Sequence, residues 1–261
     1  MKKWRLLKLG EVDGYELNAS IESIGVAKSK GLTDNTLAFF RASTFVWVGK
    51  EANLSQVNVS FCNDNGIPIV RSLVGRGVAL ISHGSQVEYT LLADRTFLPS
   101  RGAAYGRFIK CVVKSCQILG LPAKRRLGSN DVLVGERKIA GMGIINFKNV
   151  LMFNGTFLLD WDSDLSQKVL TIPTEKFADK KAKSVEQWLT TAKRELNRDV
   201  SLEEAEATLI QGFGEVLQVD FDVTTSLTEA EKQIFIELLP KYRSETWLKG
   251  GRWSPVKDYG R

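Results

Sequence analysis

The segment Ser129-Asn-Asp-Val-Leu-Val-Gly-Glu-Arg-Lys-Ile-Ala-Gly141 constrains the fold more than any other stretch of the chain. Val132, Leu133 and Val134 make a short apolar strand core, Gly135-Glu136 is a turn signal, and Lys138-Ile139-Ala140 starts a returning strand. The pattern predicts a β-hairpin that holds one lysine at the beginning of a strand, with an Asn-Asp pair on the other arm.

The rest of the chain supplies elements for such a hairpin to join. Leu17, Ile21 and Ile24 predict a helix over 15–30, weakened in its second half by Gly25. Strands are expected at 37–41 and 44–48, the second closed by Gly49, and again at 67–71, 78–81 and 87–92. A short helix over 57–66 stops at Asn65-Gly66. A longer one over 108–119 carries Phe108, Ile109, Val112, Val113, Cys116 and Leu119 on one face and ends at Gly120-Leu-Pro122. Strands at 150–153 and 155–160 follow the hairpin. Beyond Pro173 the texture turns helical, over 184–196, 201–217 and 228–239, with capping boxes at Ser201…Glu204 and Thr228…Glu231. The expected class is α+β: a mixed, largely antiparallel β-sheet core over about 1–175, flanked by helices, then a helical C-terminal third over about 176–261, all within one catalytic domain spanning 1–261.

With 261 residues, 43% of them hydrophobic, the chain can bury a sizeable core, as one large domain or two small ones. No apolar run approaches the ~20 residues of a membrane helix, and Met1-Lys-Lys-Trp-Arg lacks the apolar stretch of a secretory signal. Cys62, Cys111 and Cys116 are odd in number and show no metal-ligand spacing, and His83 is the single histidine, which argues against zinc. A reducing cytoplasm fits. The 36 basic and 30 acidic residues leave +6, but the basic ones are scattered. The clusters Lys124-Arg125-Arg126 and Lys180-Lys181-Ala-Lys183 lack interleaved aromatics and read as solvated surface, so neither nucleic acid nor membrane is an expected partner. A mildly basic surface suits a nucleotide and an acidic carrier domain.

A lysine held by a hairpin can neutralise a carboxylate and a phosphate together, which adenylation of an acid requires. The 129–141 run also resembles the "ND(V/I)…(G)…KI.G" signature of the lipoate-protein ligase A family, relatives of the biotin protein ligases. Further segments match in the same order: Leu37-Ala-Phe-Phe-Arg…Val46-Trp-Val-Gly49, Val57-Asn…Cys62…Gly66-Ile67…Val70-Arg71, Phe177-Ala-Asp-Lys180…Lys183-Ser184, and Ser244-Glu-Thr-Trp247. The family's "RR.(S/T)GGG(A/T)V(Y/F)HD.G" loop is altered here. Arg71, Gly75, Gly77 and Gly84 match, but Ser72 replaces the second arginine and Arg76 the middle glycine. Ile81-Ser82 stands where histidine and aspartate are expected, with His83 displaced by two. Asn154 stands where a histidine often precedes the equivalent of Gly155.

The resemblance implies a biotin/lipoate ligase-like fold and an archaeal-type catalytic subunit that converts lipoate and ATP to lipoyl-AMP and then acylates a carrier lysine. It implies Lys138 as the catalytic residue. Arg71, Gly75, Arg76, Gly77, Asn130, Asp131 and Gly141 would bind nucleotide or acyl-adenylate, and Asp131 would also contact Mg²⁺. Arg76 would either fill the acyl pocket or supply a different phosphate contact. Expected partners are a lipoyl domain or glycine-cleavage H protein and a separate accessory ligase subunit, because the glycine-rich tail after Lys249 is too short to make an accessory domain.

The alternatives are an octanoyl- or lipoyl-transferase of the same fold, and a degenerate homologue that only binds carrier or nucleotide. A transferase of that kind forms a thioester on a cysteine downstream of the lysine. All three cysteines here precede Lys138, and Thr174 of Ile172-Pro173-Thr174 stands where one transferase class places its cysteine. Gly75-Arg76-Gly77 matches only the start of a biotin ligase's "GRGR.GR.W". His83 is expected in a loop, Phe39, Phe40 and Trp47 in the core, and Asp160, Asp162 and Asp164 in a turn.

Overall fold

The structure is a computed structural model that describes residues 2–98, 100–171 and 184–253. In chain order the elements are β1 (Lys2–Val12), α1 (Gly14–Ser29), β2 (Thr36–Ala42), β3 (Phe45–Val48), α2 (Val59–Asp64), β4 (Ile69–Arg71), β5 (Val78–Ile81), β6 (Gln86–Asp94), α3 (Arg101–Ile118), β7 (Ala123–Arg125), β8 (Asp131–Val134), β9 (Arg137–Phe147) and β10 (Val150–Leu158). There follow α4 (Ser163–Val169), α5 (Val185–Trp188), α6 (Ala192–Leu196), α7 (Leu202–Leu217), β11 (Val219–Thr224), α8 (Glu229–Arg243) and α9 (Glu245–Leu248).

Strands assemble into an eight-stranded sheet, ordered β11-β1-β2-β6-β10-β9-β8-β7, and a three-stranded sheet, β4-β3-β5. In the large sheet β11, β1 and β2 run parallel and the remaining pairs are antiparallel. Both faces are buried. One carries Trp4, Leu6, Phe39, Tyr89, Leu91, Phe153 and Phe157 against Phe108, Val112, Leu209 and Phe213 of α3 and α7. The other carries Leu7, Ala38, Phe40, Leu92 and Met152 against α1 and the small sheet. The small sheet's far face closes a third cluster with α2 and α4.

Helix α1 sits between the large sheet and α8 and is buried around most of its circumference. Gly25 does not interrupt it. A Cβ there would lie 2.8 Å from the Met152 side chain, so the glycine permits close helix–sheet approach. Buried ion pairs tie the last helices to the first elements. Glu22 accepts from Lys241 Nζ at 2.6 Å and from the Tyr242 hydroxyl at 2.7 Å, and the Arg5 guanidinium grips Glu231 at 2.6 and 2.9 Å.

The structure corrects several expectations. β1 was not expected, because Lys3, Arg5 and Lys8 mask the apolar Trp4, Leu6 and Leu7. Arg5 is nonetheless buried, and Lys8 is half-exposed and paired with Glu206 at 2.9 Å. The segments 150–153 and 155–160 are one strand, β10, because Gly155 makes room for the Tyr89 ring, 2.3 Å from where its Cβ would be. The segment 184–196 is two short helices separated by Leu189-Thr190-Thr191, which pairs with Lys138 instead. The C-terminal part also contributes a strand, β11, to the sheet edge.

The Asp160–Asp164 stretch is not simply a turn: Asp162 caps α4 by accepting from Leu165 N at 2.8 Å. The Thr228…Glu231 capping box forms. At Ser201 only half of one does, since Glu204 is drawn to Arg198. Residues 172–183, including Ile172-Pro173-Thr174 and the Phe177…Lys183 match, lie outside the described residues, as does the tail after Trp253. No helix among the described residues is long and apolar enough to cross a membrane.

Candidate active site

The hairpin forms where the sequence places it. Gly135 takes φ 59° at the first position of a two-residue loop between Val134 and Arg137, a backbone region that favours glycine. Asp131 then pairs with Gly141 and Val132 with Ala140, but Leu133 pairs with Lys138, leaving Ile139 as an extra residue. This β-bulge re-aims a side chain. Three residues apart on a regular strand, Lys138 and Gly141 would point to opposite faces; the bulge brings them to the same one. Lys138 Nζ and Cε lie 2.6 and 2.7 Å from where a Gly141 Cβ would be, so the lysine occupies the space that the glycine leaves empty.

Asp131 fixes the amine from the neighbouring strand. Its Oδ1 is 2.8 Å from Lys138 Nζ, and its Oδ2 accepts from the Ser129 hydroxyl at 2.8 Å. Asn130 Nδ2 donates to the Met142 carbonyl, which also accepts from the Tyr105 hydroxyl at 3.3 Å. Burial, reinforced by the Asp131 charge, pushes the Tyr105 phenol up to about 12. The Lys138 carbonyl accepts from Thr190 N at 2.8 Å, pinning the bulge from outside the hairpin. About a quarter of the lysine side chain, 26%, remains exposed.

Beyond Gly141 the same sheet face continues as a floor of small and polar residues. Gly141 lies opposite Thr156, and Thr156 opposite Glu88; one row along, Gly143 lies opposite Asn154, and Asn154 opposite Thr90. Gly141, Gly143 and Thr156 are partly exposed while Met142 and Ile144, on the reverse face, are buried. A cleft therefore opens over β9 and β10. Asn154 and Thr90 are buried, and the Thr90 hydroxyl donates to Asn154 Oδ1 at 2.5 Å.

The 71–77 loop meets this floor at Gly143, whose missing Cβ would lie 2.7 Å from Val74 and 3.7 Å from Gly75 N. Gly49 holds the loop's other side: Gly49 N donates to Gly77 O at 2.8 Å, and a Cβ on Gly49 would strike Gly75 at 2.6 Å. Arg71, the expected phosphate contact, is engaged with backbone carbonyls. Only 4% exposed, it donates from Nη1 to the carbonyls of Gly49, Lys50 and Ala52 and from Nε to that of Leu248 at 2.7 Å. Trp247 Nε1 donates back to Arg71 O at 2.8 Å, so α9 and β4 are latched together. The Arg76 side chain is 86% exposed and pairs with Glu51 at 3.0 Å. A separate cavity of about 390 Å³ lies beside this latch, lined by Lys50, Glu51, Arg71 and Lys249.

The structure thus brings Lys138, Asn130, Asp131 and Gly141 together, and joins Gly75 to them through Gly143. Arg71, Arg76 and Gly77 belong to the far side of the loop. Sequence reasoning missed Gly143, Thr156, Glu88 and Thr90 as floor residues. The available signal was polar residues alternating with Val87, Tyr89, Leu91, Phe153 and Phe157 in strands that had to be central. His83 is a half-exposed loop residue beside Ala42 O and Glu11, Phe39 and Phe40 are core, and Trp47 is half-buried with Nε1 donating to Asn18. No group of three or more metal-ligating side chains occurs among the described residues.

The family model of the lipoyl protein ligase A/B catalytic domain matches residues 14–214. The chain belongs to this family. The match runs from α1 through most of α7 and so includes Lys138, the 71–77 loop and the cleft floor; α8 and α9 lie beyond it. Among relatives of this ligase family, lipoate-protein ligase A subunit 1 of Thermoplasma acidophilum is 30% identical over 82% of this chain and 84% of its own. Octanoyltransferase LipM of Moorella thermoacetica is 26% identical over 94% and 97%. Of solved structures, a bipartite lipoate protein ligase studied with its E2 lipoyl domain from the same Thermoplasma superposes with a TM-score of 0.84 at 30% identity, covering 98% of this chain and 100% of that one. A lipoate-protein ligase A bound with ATP superposes at 0.83 and 27% identity, covering 96% and 99%.

Proposed function

We propose that this chain is a lipoate-protein ligase that activates lipoate as lipoyl-AMP and passes the acyl group to a carrier lysine. The observation that carries this reading is the Lys138–Asp131 pair, turned by a bulge over Gly141 at the mouth of an open cleft. In the first step a carboxylate oxygen bonds to the α-phosphorus of ATP and pyrophosphate leaves. Lys138 draws carboxylate and α-phosphate together and stabilises the negative charge that develops between them. In the second, the neutral ε-amine of the acceptor lysine attacks the acyl carbon, the proton is lost to solvent, and AMP leaves. No covalent enzyme intermediate is required.

In this reading Asn130, Asp131, Gly141 and Gly75 contact the nucleotide or adenylate. Asp131 has a remaining lone pair on each oxygen, enough to give Mg²⁺ one ligand, with phosphates and water supplying the others. The ion would screen the triphosphate charge. ATP and lipoate are supported as substrates by the ligases this chain resembles. By the same likeness, a lipoyl domain is the acceptor and a second subunit the partner. The glycine-cleavage H protein is the other acceptor we propose. Three free cysteines support a reducing cytoplasm as the setting.

The relatives named octanoyltransferase favour a second reading, transfer through a thioester. This chain's thiols oppose it. Cys111 and Cys116 lie on α3, behind the sheet face opposite Lys138, and burial pushes both up, Cys116 to about 12. Cys62 is buried in another cluster and is also raised by burial. None presents a thiolate to the cleft.

ATP–pyrophosphate exchange with lipoate, octanoate and biotin, with and without a candidate second subunit, tests the proposal. Lipoate-dependent exchange is expected, weak for the chain alone and strong with the subunit. ATP binding without exchange under any condition would mean a non-catalytic homologue.

A further inference from the structure

We propose that Glu88 sets the acyl preference of the cleft, selecting medium-chain acids whose far end carries a hydrogen-bond acceptor over acids that end in a methyl group. This rests on the ligase reading above and concerns the same site.

Strand register puts Asp131, Gly141, Thr156, Glu88 and Phe40 in one row across five strands, all on the cleft face. Gly141 to Glu88 is two strand spacings, about 10 Å, close to the extended length of an eight-carbon acid. An acid with its carboxylate at the Lys138 amine, which covers Gly141, would cross the partly open Thr156 and bring its tail to Glu88. The surroundings of that end are apolar: Phe40 belongs to the cluster that includes Phe45, Val74 and Ile81 of the small sheet and its loop.

Glu88 is only 3% exposed, and its Oε1 is buried with no hydrogen-bond partner. The neighbouring row offers no relief, because Asn154 Oδ1 is engaged with the Thr90 hydroxyl, which also reaches Phe153 O at 3.2 Å. Burial pushes the carboxyl up to about 8, so at neutral pH it holds its proton and is a donor. A buried donor without an acceptor is unfavourable, and a ligand atom that accepts from it removes the penalty. Dithiolane sulfur is a weak acceptor and a terminal hydroxyl a strong one. A methyl group accepts nothing, so octanoate would leave Glu88 Oε1 unmet, the Gln86 side chain and backbone serving the rest of the carboxyl.

The test is kcat/KM for pyrophosphate exchange with lipoate, 8-hydroxyoctanoate and octanoate, in the wild type, Glu88→Leu and Glu88→Gln, each checked for an unchanged fold by thermal melting. The wild type should favour both acceptor-ended acids. Glu88→Leu should shift the ratio towards octanoate by about tenfold or more, mainly through KM, while Glu88→Gln, which keeps a donor, should retain the wild-type order. Equal ratios in wild type and Glu88→Leu would overturn the role of Glu88 and leave the ligase reading standing. If no acid supports exchange with or without the second subunit, the ligase reading fails. Calorimetric binding of the same three acids then reads the preference directly, and equal or absent binding overturns it.

Discussion

Lys138 and the 71–77 loop meet the same face of β9 two residues apart, at Gly141 and Gly143, but they are held there by different means. The lysine is fixed by its own hairpin: register, one bulge, and Asp131 on the adjacent strand, with a single outside bond from Thr190. The loop has little of its own. Its backbone rests on Gly49, and its base, Arg71, is held by carbonyls of residues 49, 50, 52 and 248. One half of the cleft is thus a local device, while the other is assembled by segments far apart in sequence. Damage to the first should remove chemistry and spare the fold. Damage to the second should loosen the cleft and spare the chemistry.

Lys138→Ala is the most severe test of this contrast. Loss of the lysine should cut the kcat of adenylate formation by about 10²–10³-fold with a retained fold and a modest drop in melting temperature, since Asp131 loses its cation but keeps the Ser129 hydroxyl. Unaltered exchange would remove Lys138 from the mechanism. Gly141→Ala should come next. Its Cβ would fall 2.6 Å from the amine, so the lysine must move off its position, and kcat should drop about tenfold or more for an ångström-scale misplacement. A fall confined to KM would show that Lys138 is not position-sensitive.

On the loop side, Arg71→Ala leaves buried carbonyls without donors. It should cost about 1–3 kcal/mol of stability and raise KM several-fold with kcat largely kept. A pure kcat defect at full stability would instead make Arg71 a direct phosphate ligand.

The last effect concerns Glu88 and pH, and reads on stability rather than on turnover. Its carboxyl is raised from 4.5 to about 8 in the folded chain. Across that window the unfolded chain releases the proton and the folded chain keeps it. Stability from this group is therefore whole below pH 4.5 and declines as pH rises, by up to about 1.4 kcal/mol per unit. Urea unfolding at pH 5 and pH 8 should show Glu88→Gln gaining on the wild type at the higher pH. An equal difference at both values would contradict the buried neutral acid.

The same division explains what could be read from the sequence. The hairpin, its turn glycine and Asp131 lie within one short run, so local pattern sufficed for them. The bulge was not visible, because it depends on which residues of β8 and β9 pair. Arg71 was visible as a matching residue, but its role was not, since three of its acceptors precede it by about twenty residues and the fourth follows in α9. Glu88 and Thr90 were passed over because Val87-Glu-Tyr-Thr-Leu-Leu reads as an ordinary strand with one polar face. Only the register with β10 shows that this face looks into the cleft. β1 and β11 escaped for a related reason: each is made acceptable as a strand by the other, through parallel pairing across more than two hundred residues.

That last pairing governs the order in which the molecule can be assembled. A ribosome releases β1 and α1 before the C-terminal segments, yet β1 must wait for Val219–Thr224, Arg5 for Glu231, and Glu22 for Lys241. Until those segments emerge, the nascent chain carries an unpaired strand edge and a buried-type helix with no cover on one side. Ring closure over so long a span is entropically slow, and the waiting species is prone to associate with its neighbours. A chain released before α8 would therefore contain the whole Lys138 hairpin and still lack a settled sheet on which to display it.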